Sequence, residues 1–352
     1  MKKIALILIS FAFLISPTSD LLAQTGKDKP EFTMRLQSAW EAAFGLNDLA
    51  KYVVKQIEYQ SKGRIKVEFY TAGQIVPGME VWDATSSGII DAAHVCSCYT
   101  VGKNIALGFY CNGTTMPPPA LKNLWLYKHG GLDVAQKLFD QFYKVKVFPA
   151  AVITEAWAYS NKEIKNINDL RGLKFRASGI RAGVLKNLGV SALSLPAGEV
   201  MPSMEKGVID AFELSALAYD KDLKVDEVAK YIYYSHYVDG GNLNLIVNND
   251  WWNKLPADLQ KVIKDACYDS NMWSVGYGAT LEIESMEISE RLNKTEIRWL
   301  PQDVEEALVA SGQALIEKEI KNGNKSMQAI KESLDAFMVK YDKFGQFRGN
   351  MF

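Results

Sequence analysis

The chain has 352 residues, 48% hydrophobic and 23% charged, with 40 lysines and arginines against 41 aspartates and glutamates. This is ordinary globular composition and enough for two domains of usual size. The near-neutral balance, without a basic block, argues against nucleic acid or an anionic membrane surface as the main partner.

The first segment, MKKIALILISFAFLISPTSDLLAQ, carries two lysines, an apolar run from Ile4 to Ile15 and a small residue at Ala23. That is the pattern of a secretory signal peptide over residues 1–23, with an apolar core too short to span a bilayer. The mature chain is therefore expected to be exported, to the periplasm.

FTMRLQSAW (32–40) alternates and predicts a strand. NDLAKYVVKQIEYQSKG (47–63) predicts a helix with Leu49, Tyr52, Val53 and Ile57 on one face, Asn47 as its cap and Gly63 at its end. RIKVEFY (64–70) alternates again. A helix near 78–87, Gly88 and the strand IIDAAHV follow. The second half repeats this order: strand LKFRASG (173–179), helix RAGVLKNLG, strand SALSL (191–195), a helix near 198–206, Gly207 and strand VIDAFEL. SSGIIDAAHV and EKGVIDAFEL are thus near-twins, and upstream TAGQIVPGMEVWDA echoes LPAGEVMPSM. Glycine stops each helix and a branched pair begins each buried strand.

Alternating strands and helices mean an α/β fold, with largely parallel sheets expected. The two similar halves predict two lobes, 31–150 and 151–247, with the ligand cleft between them at the strands' carboxyl ends. Residues 242–250 read as a strand returning the chain to the first lobe. Segment 248–290 continues that return and supplies an inter-lobe helix. Segment 291–352 holds a strand, EIRWL, and C-terminal helices. The last amphipathic stretch, 326–344, is not needed by either lobe and is a candidate for dimerisation.

Catalytic signatures are missing: the sequence has no GxxxxGK[ST], HExxH, GxSxG or strand-linked GxGxxG. His94, His129 and His236 lack metal-ligand spacing. Of the four cysteines, Cys96 or Cys98 could pair with Cys111 across a short loop, whereas Cys267 lies in a helical run and reads as buried and inert.

INDLRGLKFRASG followed by LGVSALSLPAGEVMPSMEKGVIDAFEL, with FYTAGQIVPGMEVWDATSSGIIDAAH upstream and YYSHYVDGGNLNLIVNNDWWNKLP and DACYDSNMW downstream, resembles the solute-binding component of TRAP transporters. These are tripartite ATP-independent periplasmic carriers. The likeness covers nearly all of the mature chain and is nearest to the branch that binds 2-oxo or 2-hydroxy monocarboxylates beside a metal ion. It implies the two-lobed periplasmic binding fold, a small organic acid anion as ligand, and a permease of small and large membrane subunits as partner. It also implies, for some members, a homodimer through a helix beyond the lobes.

By that resemblance Arg176 clamps the substrate carboxylate, a role its planar fork suits and a lysine does not. Glu213 and Asp239 match acidic metal ligands. Glu155 stands where the branch commonly has glutamine. Leu214 stands where tryptophan is usual, with its carbonyl still able to coordinate. Tyr99 and Trp40 match aromatic positions facing the cleft from the first lobe, and Trp157 and Tyr159 are candidates for an apolar wall. Three carboxylates opposed by Arg176 alone favour Ca²⁺ over Na⁺ as the ion. The same receptor fold retuned to another acid is the first alternative, and a periplasmic enzyme using carboxylates the second.

Overall fold

The computed structural model describes residues 29–112, 117, 119–153, 155–220, 223–236, 241–292 and 295–348. The segment read as a signal peptide lies outside them. Among the described residues no helix is long and apolar enough to cross a membrane.

Among the described residues eleven strands form two sheets. They are β1 (Phe32–Ser38), β2 (Ile65–Tyr70), β3 (Ala92–Cys96), β4 (Val145–Val152), β5 (Ala158–Ser160), β6 (Lys174–Arg176), β7 (Ser191–Leu193), β8 (Ala211–Phe212), β9 (Tyr231–Tyr234), β10 (Asn242–Asn248) and β11 (Glu296–Trp299). The first sheet has the order β2-β1-β3-β10-β4 and the second β11-β9-β5-β8-β6-β7. Parallel pairing holds only in part. β10 runs antiparallel to both β3 and β4, and β5 antiparallel to β8 and β9. The chain crosses between the sheets three times: β5 and β10, the strands that follow the first two crossings, run against their neighbours, whereas β11, after the third, runs parallel to β9.

The first sheet is covered on both faces, so β10 is buried along its whole length. Met34, Leu36, Ile65, Val67, Leu245 and Val247 pack with Val53 and Ile57 of helix Leu46–Gln60 and with Leu259 and Ile263 of helix Ala257–Leu292. On the other face Ala93, Val95 and Ile246 meet Trp82, Trp125 and Phe139. Each fully buried aliphatic side chain of this kind contributes roughly 1.5–3 kcal/mol. Tyr52, expected on the buried face, lies at its edge and stacks on Trp273 with ring centroids 3.7 Å apart. Asn47 is not the helix cap. It is buried inside the first turn, accepting from Ser38 Oγ at 2.5 Å and donating to the Glu41 carbonyl at 2.7 Å. Pro149 in β4 falls on a sheet edge, beside a register irregularity against β10, where a missing N–H costs least.

The twin phrases are equivalent joints. Gly88 and Gly207 both take left-handed φ, +81° and +66°. The aspartate three residues on does the same work in each half. The Asp91 N–H donates to the Arg35 carbonyl, and its carboxylate accepts the Arg35 N–H at 2.8 Å. The Asp210 N–H donates to the Lys174 carbonyl, and its carboxylate accepts the Lys174 N–H at 3.0 Å. The upstream echo aligns on its prolines. Pro77-Gly78-Met79-Glu80-Val81 matches Pro196-Ala197-Gly198-Glu199-Val200, each an extended proline leading through a single 3₁₀ turn into a helix that buries its valine.

Helix Ala257–Leu292, 36 residues and about 54 Å long, spans both halves. Its Ser274 accepts the Val152 N–H of β4 at 2.8 Å, and its Glu282 accepts the Ala218 N–H on the far side at 2.9 Å. Helix Gln302–Lys321 lies on helix Gly179–Asn187, where Ser311 donates to the Val184 carbonyl. Helix Lys325–Arg348 crosses back to helices Pro119–Lys128 and Gly131–Phe139. There it buries Met327, Ile330, Leu334 and Phe337, and Trp125 donates to Ser333 at 3.1 Å. The stretch 326–344 is therefore used within the chain, packed on the first half and on helix Gln302–Lys321, which in turn lies on the second.

Candidate functional site

Arg176 ends β6 at the carboxyl edge of the second sheet and is 2% exposed. Its Nε and Nη2 donate to the Leu195 carbonyl at 3.2 and 3.1 Å, and its Nη1 to the Glu213 carbonyl at 2.6 Å. Three of the five guanidinium N–H groups are thus spent on backbone, which fixes the plane of the fork and leaves two for a ligand.

Glu213 follows β8 and is 3% exposed. Its Oε1 accepts the Ser178 N–H at 2.6 Å and the Ser178 hydroxyl at 2.8 Å. Ser178 is the N-cap of helix Gly179–Asn187, so the carboxylate sits where the helix dipole favours negative charge. Its Oε2 is in contact with Arg181 Nη1, and the neighbouring nitrogen, Nη2, lies 2.6 Å from Glu155 Oε2. All three side chains are nearly sealed from solvent, at 4% to 6% exposure. Burial pushes the Glu155 carboxyl above its usual range, opposed first by the Arg181 charge.

Arg176, Glu155 and Ser178 line one cavity with Trp40, Phe44, Tyr99, Leu214 and the Cys98–Cys111 disulfide, and Glu213 and Arg181 touch this lining through Ser178 and Glu155. The space open to the centre of a water-sized sphere is ≈ 30 Å³, about two waters' worth. Trp40 and Tyr99 pack together with ring centroids 6.2 Å apart, and Trp40 donates to His94 Nδ1 at 3.3 Å. Burial lowers the His94 pKa to about 3, so this histidine is a neutral prop for the indole. Burial raises the Cys96 thiol to about 12, which makes it unreactive. Across the cleft the Gly198 N–H donates to Glu41 Oε1 at 3.1 Å, tying the two halves at its mouth.

Arg176, Glu155, Glu213, Leu214, Tyr99 and Trp40, singled out from sequence, therefore meet at one place. Asp239 lies outside the described residues. Trp157 and Tyr159 do not line the cavity: Trp157 packs on Phe175 behind β6, and Tyr159 stacks on Phe212 and donates to Asp220 at 2.8 Å. Of the two cysteines open to pairing with Cys111, Cys98 takes it and Cys96 stays a buried thiol. Sequence reading missed Arg181, Ser178 and Phe44. Arg181 had a signal, since an arginine in the first turn of a helix opposes the dipole and asks for acidic partners.

The donors would suit a hard cation, because Glu155 and Glu213 offer carboxylate oxygens of the kind Ca²⁺ takes. Both carboxylates are already engaged by Arg181, and with Arg176 these four buried groups sum to zero before any ion is added. The expectation of Ca²⁺ set Arg176 alone against three acids; Arg181 is a second cation in that count, and Asp239, the third acid, lies outside the described residues.

Residues 39–322 match the family DctP, bacterial extracellular solute-binding protein, family 7. A monocarboxylate 2-oxoacid-binding periplasmic protein of Nostoc sp. (strain PCC 7120) is 31% identical over 263 residues, 74% of this chain and 71% of its own length. A TRAP transporter solute-binding protein from Bordetella bronchiseptica RB50, solved as a mixed-occupancy dimer with copurified calcium and picolinate, is 25% identical. It has a TM-score of 0.84 over 90% of this chain and 95% of that one. A TRAP periplasmic solute-binding protein from Pseudoalteromonas atlantica T6c, solved with sodium and pyruvate, is 24% identical. Its TM-score is 0.83 over 90% and 96% of the two chains. The two-sheet architecture, the cavity between the sheets and these matches together make the chain a member of the DctP family of bacterial extracellular solute-binding proteins, the receptors of TRAP transport.

Proposed function

We propose that this receptor captures a small 2-oxo or 2-hydroxy monocarboxylate in the periplasm and hands it to the small and large membrane subunits of a TRAP permease. The observation that carries the reading is Arg176: a buried guanidinium, immobilised by two backbone carbonyls, with two donors left in a cavity walled by Trp40, Phe44, Tyr99 and Leu214. A carboxylate meets those donors through charge-assisted hydrogen bonds, and the apolar wall suits a short, uncharged tail. The cavity's small volume favours an acid of a few heavy atoms over a sugar acid. The name of the Nostoc relative supports the 2-oxo class.

In this reading 31–150 and 151–247 act as the two lobes, and the closed state is the one held by Glu41 and Gly198. Closing the lobes buries the ligand and presents the surface that the permease recognises. Another organic acid is the second reading, favoured because Glu155 and Leu214, the two departures from the branch pattern, both line the cavity. Calcium and sodium, each bound in a relative, are alternative conditions for the acid panel below, since Arg181 adds a second cation to the count on which Ca²⁺ was preferred. A dimer like that of the Bordetella relative would have Val339 and Phe344, 68% and 45% exposed on the last helix, as its apolar contacts.

The deciding experiment is a thermal-shift panel of 2-oxo, 2-hydroxy, dicarboxylic and sugar acids. A ligand at about one hundred times its Kd adds roughly 2.7 kcal/mol. Stabilisation by pyruvate or lactate alone supports the reading. Stabilisation only by dicarboxylic or sugar acids moves it to the second, and an acid consumed with product formed overturns it.

A further inference from the structure

Resting on the receptor reading, we propose that Arg181, in place of an ion such as the calcium and sodium bound in relatives, holds Glu155 and Glu213 together, and that the cavity takes its acid without a bound cation. Its two terminal nitrogens are divided one to each carboxylate, Nη2 at 2.6 Å from Glu155 Oε2 and Nη1 against Glu213 Oε2. The other Glu213 oxygen is held by the N–H and hydroxyl of Ser178.

A Ca²⁺ ion takes six to eight oxygens at about 2.3–2.6 Å. Of the four carboxylate oxygens, both Oε2 atoms face Arg181 and Glu213 Oε1 is held by Ser178, so such an ion would find only Glu155 Oε1 outside these contacts, with a full positive charge nearby and little solvent to screen it. The surroundings fit a guanidinium instead. Gly241 leaves the space in which Glu155 Oε1 lies, since a β-carbon there would come within 2.7 Å of it. Arg181 rises from the first turn of helix Gly179–Asn187, one turn from the Ser178 cap that positions Glu213. Among the described residues the two carboxylates and two guanidiniums balance, buried Lys122 adds a positive charge that acts on Glu155, and a monoanion brings the negative charge that answers it. The helix N-terminus beside Glu213 favours that sign.

The test has two readouts. In the first, wild-type protein stripped with chelator is equilibrated with radioactive Ca²⁺, with no acid present. Wild type is expected to retain well under about 0.1 ion per chain at micromolar Ca²⁺, and Arg181→Gly, which frees both carboxylates, to retain close to one. In the second, calorimetry measures pyruvate binding with chelator and with Ca²⁺. The wild-type Kd should change less than about twofold, while Arg181→Gly should lose about 100-fold in chelator and recover at least about tenfold with Ca²⁺. One tightly held Ca²⁺ per wild-type chain, or pyruvate binding lost in chelator and restored by Ca²⁺, overturns the proposal. Should no acid bind under any condition, the receptor reading fails, and Ca²⁺ retention by wild type still decides the role of Arg181. Should Arg181→Gly not fold, the wild-type measurements decide it alone.

Discussion

Gln37 and Arg176 hold the same place in the two sheets. Gln37 in β1 pairs with Ala93 in β3, and Arg176 in β6 pairs with Phe212 in β8, each in a parallel ladder. Gln37 donates to the carbonyl of Val76, and Arg176 to the carbonyl of Leu195, each the residue before the proline that opens the next helix. The first half satisfies this tie with a neutral amide. The second uses a charged fork with donors to spare, and that difference is what makes one side of the cleft the binding side.

Arg176→Gln should therefore separate binding from folding. The amide can keep the tie to Leu195, as Gln37 does to Val76, so stability is expected to fall by no more than about 1–2 kcal/mol. Acid affinity should drop at least about 100-fold, because the charge-assisted contact is gone. Denaturant melts and calorimetry on the same preparation check both halves. Retained affinity would show that the acid sits elsewhere.

Gly241→Ala tests the seating of Glu155. The added methyl would lie 2.7 Å from Glu155 Oε1, the far end of a flexible side chain, so the chain still folds but the carboxylate must move off Arg181. Acid affinity is expected to weaken by about tenfold, with a stability loss under about 2 kcal/mol. An unchanged Kd would mean that the Glu155–Arg181 contact does not organise the cavity.

Asp220 predicts the pH dependence of stability. Burial pushes its carboxyl up to about 7, against hydrogen bonds from Ser215 and Tyr159 and with Glu282 of the long helix adding to the rise. The Glu282 carboxyl is itself raised by burial and contacts the Tyr234 hydroxyl. A raised folded-state pKa means that the native protein holds protons the unfolded chain has released. Stability should thus fall as pH rises from the unfolded carboxylate value through about 7, by on the order of 4 kcal/mol, and level off above that. Melting temperatures at pH 5 and pH 8 check the slope. Asp220→Asn should shallow it, with Glu282 supplying what remains, and an unaltered slope would remove Asp220 from the account.

The Cys98–Cys111 disulfide closes a separation of 13 residues and lines the cavity. Chain entropy assigns such a loop about 3 kcal/mol. Cys98→Ala with Cys111→Ala should lower stability by about 2–3 kcal/mol and also weaken acid binding, since Tyr99, next to Cys98 in the chain, packs on Trp40 and lines the cavity with it. Stability lost without any change in Kd would make the bridge a staple only.

What the sequence by itself determined is what neighbouring residues encode. The twin helix–glycine–strand joints, the amphipathic face of helix Leu46–Gln60 and Arg176 at the end of a strand beside the cleft are set by backbone preference and periodicity within a few positions. The site residues Glu155, Glu213, Leu214, Tyr99 and Trp40 were legible through family resemblance, since no local rule brings them together. Only the tertiary structure decided that β10 enters antiparallel between β3 and β4, that Cys98 rather than Cys96 meets Cys111, and that Trp157 turns away from the cavity. It alone set Arg181 between two acids, one of them 26 residues away. The physical reason is that a buried charge takes its meaning from the groups that neutralise it, and chain separation says nothing of which those will be.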